Sequence, residues 1–580
     1  MNISDLLTIL TILLAVYVIL PKAKILDIRL RLTILDWMVI WSTLLLLLYL
    51  QFYDVFDSIG LTPNYNLSRY NLNPNNFSFL VVLLLSLYLI IKTHLVPFSS
   101  YKLNDLKKLF EQLGYRKELG QMVGLLDKHY NKLIKFYAQD KFVRRHSIGA
   151  LDTQSIHRLN AILTGSKTKT SKFLKLKQNF KERIKKRLTD RRDIISDIFK
   201  ISLLNTRVVN EISKTNPYLA IKILDAKIDI WHKRKFCELY LKSLFSDPSS
   251  ILYSELNNNH STGSGSRYEK PESNKLLHYL FSDVKKAEDL YAWKAIGEKT
   301  IAFLVELQRN PDKDTYNLPY DRLYEEELQS SCFLSNAIWF FKIMVTEAIY
   351  QNIKWHMWLH YFKYFTKHIC ENYSLDNPYV DKDAEFPNRY SYLLYEMQCT
   401  LCEWIRLLQY IPTDQENIQL DNSVLHSNNS NIVQSSILAL GRCIYTISSS
   451  NNIPDSFKRY LIEGSLDVYF NIRIWSQVNQ NYAELLLNSL LDAGDQFYKK
   501  DEDYNGIVLD TLLHIDTAPL IDDHFKDCLD KVVKHFINNY GEQESKYIFL
   551  ERLDDNTLQV KSKLLESGRF ERCYKIDSHC

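Results

Sequence analysis

The sequence predicts an all-α protein with three N-terminal transmembrane helices followed by a large cytoplasmic multi-helix domain. Its 15 glycines and 14 prolines in 580 residues are too few for the tight turns of a large β architecture. Three apolar runs fill the first hundred residues, and apolar residues recur at helical spacing through much of the rest. No repeat of about 30–50 residues recurs, so a solenoid-like stack of helix pairs and an irregular helical domain both stay open.

The three apolar runs cover about residues 3–20, 33–53 and 77–96. A helix needs ~20 residues to cross ~30 Å of hydrocarbon, which the first two runs supply and the third supplies with its flanks. A helix in lipid also satisfies its own backbone hydrogen bonds. We therefore expect residues 1–98 to form a transmembrane anchor with three spans. We expect Asp36, at the inner edge of the second span, to reach water.

The connectors between the runs predict the orientation. The connector after the first run and the segment after the third are basic, whereas residues 54–77 carry a single cation, Arg69, against Asp54 and Asp57. The basic residues are Lys22, Lys24, Arg29 and Arg31 in the first group and Lys92, Lys102, Lys107 and Lys108 in the second. Basic segments stay on the cytoplasmic side of a membrane. With three spans, we therefore expect the N-terminus on the outer side and the bulk of the chain in the cytoplasm. We expect the protein to reside in the inner (plasma) membrane of a bacterium.

A strongly basic segment follows the anchor. Residues 101–200 carry 25 Lys or Arg against 10 Asp or Glu, and an amphipathic helix is predicted over 167–202. Its cations could be a solvated helix face, a surface for anionic lipid headgroups, or a nucleic-acid contact, the last without a supporting motif. The candidates for anionic-surface binding are Lys172, Lys175, Lys177, Lys181, Arg183, Lys185, Lys186, Arg187, Arg191 and Arg192.

The remaining chain is predicted to be helical throughout. A juxtamembrane helical region (99–166) precedes the basic helix, and a helical segment (203–256) follows it. Within that segment, Asn216-Pro217 and Asp247-Pro248 predict the ends of a helix. A Gly/Ser-rich linker (257–274), a helical body (275–540) and a C-terminal tail (541–580) complete the organisation.

Motifs for catalysis are absent from the sequence. It contains no phosphate-binding glycine loop, no nucleophile elbow and no HExxH zinc motif. His356 and His360 are four residues apart in a predicted helix (351–374), which would place both on one face as a weak metal candidate. Packed or surface histidines are the alternative. We expect no cofactor, and the sequence favours a protein that is not an enzyme.

These features predict a membrane-anchored scaffold or sensor that binds a macromolecular partner at the inner membrane face. The alternative is an oligomeric membrane effector or pore gated by its cytoplasmic helices. A third class, an enzyme of unfamiliar type, would depend on the region of His356 and His360. Expected partners are membrane lipids, including anionic headgroups, and a second protein or another copy of the chain. Nucleic acid is the weaker alternative.

Overall fold

The computed structural model describes most of the chain as two compact units, Met1–Leu239 and Tyr240–Cys580. The described residues are 11, 22–60, 74–94, 98, 100–138, 190–260, 273–321, 330–354, 356–411, 431–493, 501–515, 522–541, 545–554, 557–563 and 571–575. They are mostly α-helical, which confirms the predicted fold class.

The first unit is helical in its described part. Its helices are α1 (Lys22–Arg31), α2 (Ile34–Gln51), α3 (Tyr53–Ser58), α4 (Pro74–His94), α5 (Leu103–Tyr115), α6 (119–138), α7 (190–203), α8 (Thr206–Thr215), α9 (Leu219–Asp225) and α10 (Ile230–Phe245), the last of which crosses the unit boundary. A short 3₁₀ turn, Ser100–Lys102, precedes α5.

Two of these helices, α2 and α4, are long and apolar enough to cross a membrane. They pack against each other, and the start of α2 meets the end of α4, so they form an antiparallel pair that we call the apolar hairpin. Its outer surface exposes large apolar side chains such as Trp41 and Leu45, which are 61% and 66% exposed. Because water disfavours so much apolar surface, this hairpin is a candidate for insertion into lipid. The predicted first span, 3–20, lies outside the described residues except for Thr11.

The segment predicted as one helix between Asn216 and Asp247 is two helices, α9 and α10. Residues 226–229 separate them, and Ala226 adopts an extended conformation that ends α9. The sequence has neither glycine nor proline at this break, which explains why it was not predicted.

The second unit contains twelve further helices in its described part. They are α11 (Ile251–His260), α12 (Lys275–Phe281), α13 (Val284–Asp289), α14 (Ala292–Arg309), α15 (Phe333–Tyr350), α16 (His360–Asn372), α17 (Arg389–Arg406), α18 (Ile432–Ser448), α19 (Asp455–Ile474), α20 (Asn481–Leu491), α21 (Glu502–His514) and α22 (Asp522–Tyr540). Short 3₁₀ turns lie at Pro311–Lys313, Thr315–Asn317 and Leu407–Gln409.

Helix α18 is the centre of this unit. It packs against α15, α16, α17, α19, α20 and α21, and its side chains are buried on nearly every face. In a solenoid each repeat contacts only its neighbours along the chain. The described helices of this unit therefore pack around a central helix, and a solenoid-like stack is not supported.

The predicted C-terminal tail is partly a small sheet. Three antiparallel strands, β1 (Ile548–Asp554), β2 (Thr557–Ser562) and β3 (Glu571–Lys575), pair in the order β1-β2-β3. In this register Leu550 pairs with Val560, and Val560 pairs with Arg572 on the other side. Ser562 donates a 2.5 Å hydrogen bond to the buried Asp510 of α21, which ties the sheet to the helices.

We expect Gly441→Ala to destabilise the second unit, because a Cβ at Gly441 would lie 2.2 Å from the backbone oxygen of Ser489 on α20. Overpacking of this kind costs about 1–3 kcal/mol. The matched control is Gly124→Ala in α6, where a Cβ meets nothing within 4 Å and the better helix propensity of alanine should stabilise by about 1 kcal/mol. The urea midpoints of the two variants, each compared with that of the original protein, measure both effects. Equal midpoints would contradict the close approach of α18 and α20.

Candidate functional site

The base of the apolar hairpin is a polar cluster. We use "base" for the end where α2 begins and α4 ends. Asp36, which is 2% exposed, forms a capping box with Thr33: its Oδ2 accepts hydrogen bonds from the Thr33 backbone nitrogen at 2.6 Å and from its hydroxyl at 2.7 Å. Its Oδ1 lies 3.1 Å from Lys92 Nζ and accepts a hydrogen bond from Tyr88, both on α4. The expectation that Asp36 reaches water is wrong, because α4 supplies its partners instead.

A second buried carboxylate, Asp27 of α1, lies one helical turn before Arg31. Asp27 is 2% exposed, and its oxygens accept hydrogen bonds from His129 Nε2 at 2.6 Å and from Lys128 Nζ at 2.5 Å, both on α6. Arg31 Nε lies 3.4 Å from Asp27 Oδ1. The His129 ring packs edge-on against the buried Phe98, with centroids 5.0 Å apart.

Arg31 connects this second carboxylate to the hairpin. Its other nitrogen, Nη1, donates a 2.8 Å hydrogen bond to the carbonyl oxygen of Thr93, near the end of α4. The last carbonyls of a helix lack intrahelical donors and carry partial negative charge, so a cation placed there stabilises the helix end. Asp27, Arg31, Asp36, Lys92, Lys128 and His129 together constitute what we call the base cluster.

The electrostatics of Asp27 follow from its partners. Burial by itself raises the pKa of a carboxyl group, but hydrogen bonds from His129 and Lys128 and the nearby charge of Arg31 outweigh burial. The pKa of Asp27 is therefore held well below its usual range. The ionised carboxylate is what α6 binds, so this contact is strongest when Asp27 carries its charge.

The sequence did not predict the Asp27 cluster. The available signal was a single carboxylate within the basic connector, where Lys22, Lys24, Arg29 and Arg31 surround Asp27. His129 and Lys128 are about a hundred residues away, and helical periodicity does not show that α6 returns to α1.

The predicted lipid-facing cations are described only in part. Lys172, Lys175, Lys177, Lys181, Arg183, Lys185, Lys186 and Arg187 lie outside the described residues. Arg191 and Arg192 belong to α7, and both are near aromatic rings: Arg191 is 5.9 Å from the Tyr101 ring centroid and Arg192 is 5.2 Å from that of Tyr137. Arg192 also donates a 3.4 Å hydrogen bond to the Tyr137 hydroxyl. These two arginines therefore contribute to packing within the first unit, and an anionic-surface role stays a prediction.

The proposed shared helix face of His356 and His360 is wrong. Helix α16 begins at His360, and His356 precedes it in an irregular segment after α15. Burial beside the Trp358 ring lowers the pKa of His356 to about 3, so the ring is neutral at physiological pH. Across the described residues, no group of three or more His, Cys, Asp or Glu side chains is arranged to hold a metal ion.

Compared with known proteins, the chain matches no family model, no curated protein and no solved structure. The base cluster can fix a helix pair to a neighbouring helical layer, and its buried charges already have partners.

We expect Asp27→Asn to lower the free energy of unfolding of the first unit by about 3 kcal/mol, because it removes the carboxylate that compensates Arg31 in a buried site. Lys128→Gln is the matched control: Lys128 is half-exposed, and its loss should cost less than about 1 kcal/mol. Pulse proteolysis of the full chain in detergent, as a function of urea, measures both.

The pH dependence provides a second readout. A carboxyl with a depressed pKa stabilises fully above its unfolded value of about 4 and loses this stabilisation as the pH falls through its folded value. The difference in unfolding free energy between the original protein and Asp27→Asn should therefore narrow as the pH falls below about 4. A difference that widens as the pH falls below about 4 would contradict the assignment.

Proposed function

We propose that this protein is a membrane-anchored scaffold or sensor whose helical body binds a macromolecular partner at the inner membrane face. The observation that carries the proposal is the apolar hairpin with its base cluster at one end. Apolar side chains cover the length of α2 and α4, and the charged residues of the pair are confined to the base. That distribution suits helices whose middle lies in hydrocarbon and whose base lies at the water boundary.

The proposed topology has three spans, with the segment 3–20 as the first, the N-terminus outside and the remaining chain in the cytoplasm of a bacterium. The basic residues near the base support this orientation. Lys24, Arg29 and Arg31 precede α2, and Lys102, Lys107 and Lys108 follow α4, so both groups lie at the same end of the hairpin. Basic residues at one end favour the cytoplasmic side for that end.

The base cluster supports a role in recruitment or sensing. Buried ion pairs and hydrogen bonds join α4 to α1 and α1 to α6, which favours one fixed arrangement of the apolar hairpin and this helical layer. A scaffold requires such a fixed arrangement to present a partner-binding surface at a set distance from the lipid. The larger helical unit is the proposed partner-binding part, with a protein or a second copy of the chain as the partner.

The topology is tested with a reporter fused after residue 580 and another inserted in the 61–73 connector. We expect the C-terminal reporter to be active only inside and the connector reporter only outside, and the full chain to resist extraction by alkaline carbonate. An externally active C-terminal reporter, or release of the chain into the soluble fraction, would exclude the proposed anchor.

A liposome assay separates the scaffold from an oligomeric effector or pore. Purified full-length protein in dye-loaded liposomes should release no more dye than protein-free liposomes. Chemical cross-linking in the native membrane should then give a complex containing a second protein or a dimer. Dye release together with a ladder of homo-oligomers would replace the scaffold proposal with the effector.

The basic segment gives a further prediction. The variant replaces five cations by glutamine: Lys181, Arg183, Lys185, Lys186 and Arg187. In proteoliposomes, photo-crosslinking of residues 167–192 to phosphatidylglycerol should fall at least tenfold in this variant of the full chain. The reason is that each cation near an anionic surface contributes about 1 kcal/mol to binding. The control replaces Lys313, Lys354 and Lys382, which are exposed in the second unit. Unchanged crosslinking in the first variant would mean that those cations are only solvated.

A further inference from the structure

The start of α10 exposes two large apolar side chains. Ile230 and Trp231 are 45% and 58% exposed, whereas Phe236 and Tyr240 on the same helix are fully buried. The Trp231 ring lies edge-on to its neighbour His232, with centroids 5.0 Å apart. In the break at 226–229, the Ile228 nitrogen donates a 2.9 Å hydrogen bond to the Ala226 oxygen. We call Ile230 and Trp231, together with this break, the apolar protrusion.

The surroundings of this protrusion are basic. Residues 227–235 contain four cations, Lys227, Lys233, Arg234 and Lys235, against one carboxylate, Asp229. Lys227 and Lys235 are exposed on either side of Ile230 and Trp231. Asp229 lies 3.6 Å from His232, and Lys235 lies 3.0 Å from Glu238. An exposed tryptophan among cations is the composition of a surface that binds anionic lipid at the bilayer interface.

Contacts within the first unit connect this protrusion to the hairpin base. Helix α9, which immediately precedes the break, lies on α6: Lys222 is 2.9 Å from Asp127, and the Tyr130 hydroxyl donates a 3.3 Å hydrogen bond to the Ile223 oxygen. Asp127 adjoins Lys128 and His129, the residues of α6 that bind Asp27. Helix α6 therefore contacts α9 and also contributes Lys128 and His129 to the base cluster.

We propose that Ile230 and Trp231 insert into the headgroup layer of the same leaflet that the hairpin base faces, with Lys227 and Lys235 beside anionic headgroups. The inference rests on the proposed membrane anchorage. Three properties favour lipid over a protein partner. The surroundings are basic, tryptophan prefers the water–lipid boundary, and Trp231 belongs to the first unit, which also contains the proposed anchor. The contact would give the protein a second attachment beside its spans.

The test uses tryptophan fluorescence of the full chain in proteoliposomes of phosphatidylcholine and phosphatidylglycerol. A matched set contains lipids brominated near the headgroup end of the acyl chain, which quench tryptophans at that depth. The chain has nine tryptophans, among them Trp37 and Trp41 of α2. The variants are Trp231→Phe, which keeps an aromatic ring at an exposed position, and Trp293→Phe as a control in the buried interior of the second unit.

We expect Trp231→Phe to remove emission that brominated lipid quenches, about one ninth of the total if the nine tryptophans emit equally. Trp293→Phe should remove only emission that brominated lipid leaves unquenched. If Trp231→Phe instead removes only unquenched emission, the interfacial role is wrong while the anchor stands. If brominated lipid quenches none of the emission in any form of the protein, the proposed anchor itself fails.

Discussion

A buried charge without a partner costs free energy, and this constraint governs the base of the hairpin. Asp36 and Lys92 lie within helices that are otherwise apolar, and they are tolerated there because each compensates the other at 3.1 Å. Asp27 and Arg31 of α1 form a second buried pair of opposite charge, 3.4 Å apart, and His129 Nε2 lies 2.6 Å from the same carboxylate. Removal of either aspartate leaves its partner cation, Lys92 or Arg31, without that compensation.

The same cluster joins the apolar hairpin, which is the proposed anchor, to helix α6. Short connectors alone would leave the hairpin free to reorient, whereas the bonds from Arg31 to Thr93 and from Asp27 to α6 fix it. The proposed scaffold or sensor would gain from this arrangement, because the helices that follow would keep a defined height above the lipid. The proposed interfacial contact of Trp231 would add a second constraint on that pose.

The sequence predicted the features that depend on local composition and missed those that depend on distant contacts. Apolar length placed α2 and α4, and scarce glycine and proline indicated a helical fold. The burial of Asp36 depends on contact with α4, and the burial of Asp27 depends on contact with α6. Neither of these contacts between helices leaves a periodic signal in the sequence. The His356 error has another cause: the helix predicted over 351–374 begins only at His360, because Asn352 adopts a positive φ of 52° and the described residues from there to Leu359 are not helical. The small C-terminal sheet was visible only as one short apolar run.

The central claim, that paired charges hold the base of the hairpin, is tested most directly by exchanging Asp36 and Lys92. Asp36→Lys and Lys92→Asp each place like charges together, and the double variant D36K/K92D restores an opposite pair at the cost of the Thr33 capping box. The measurement is the amount of membrane-integrated, protease-resistant full chain. We expect both single variants to lose most of this protein and the double variant to recover at least half of it. A double variant no better than the weaker single one would mean that the opposite charges of residues 36 and 92 do not hold the base of the hairpin.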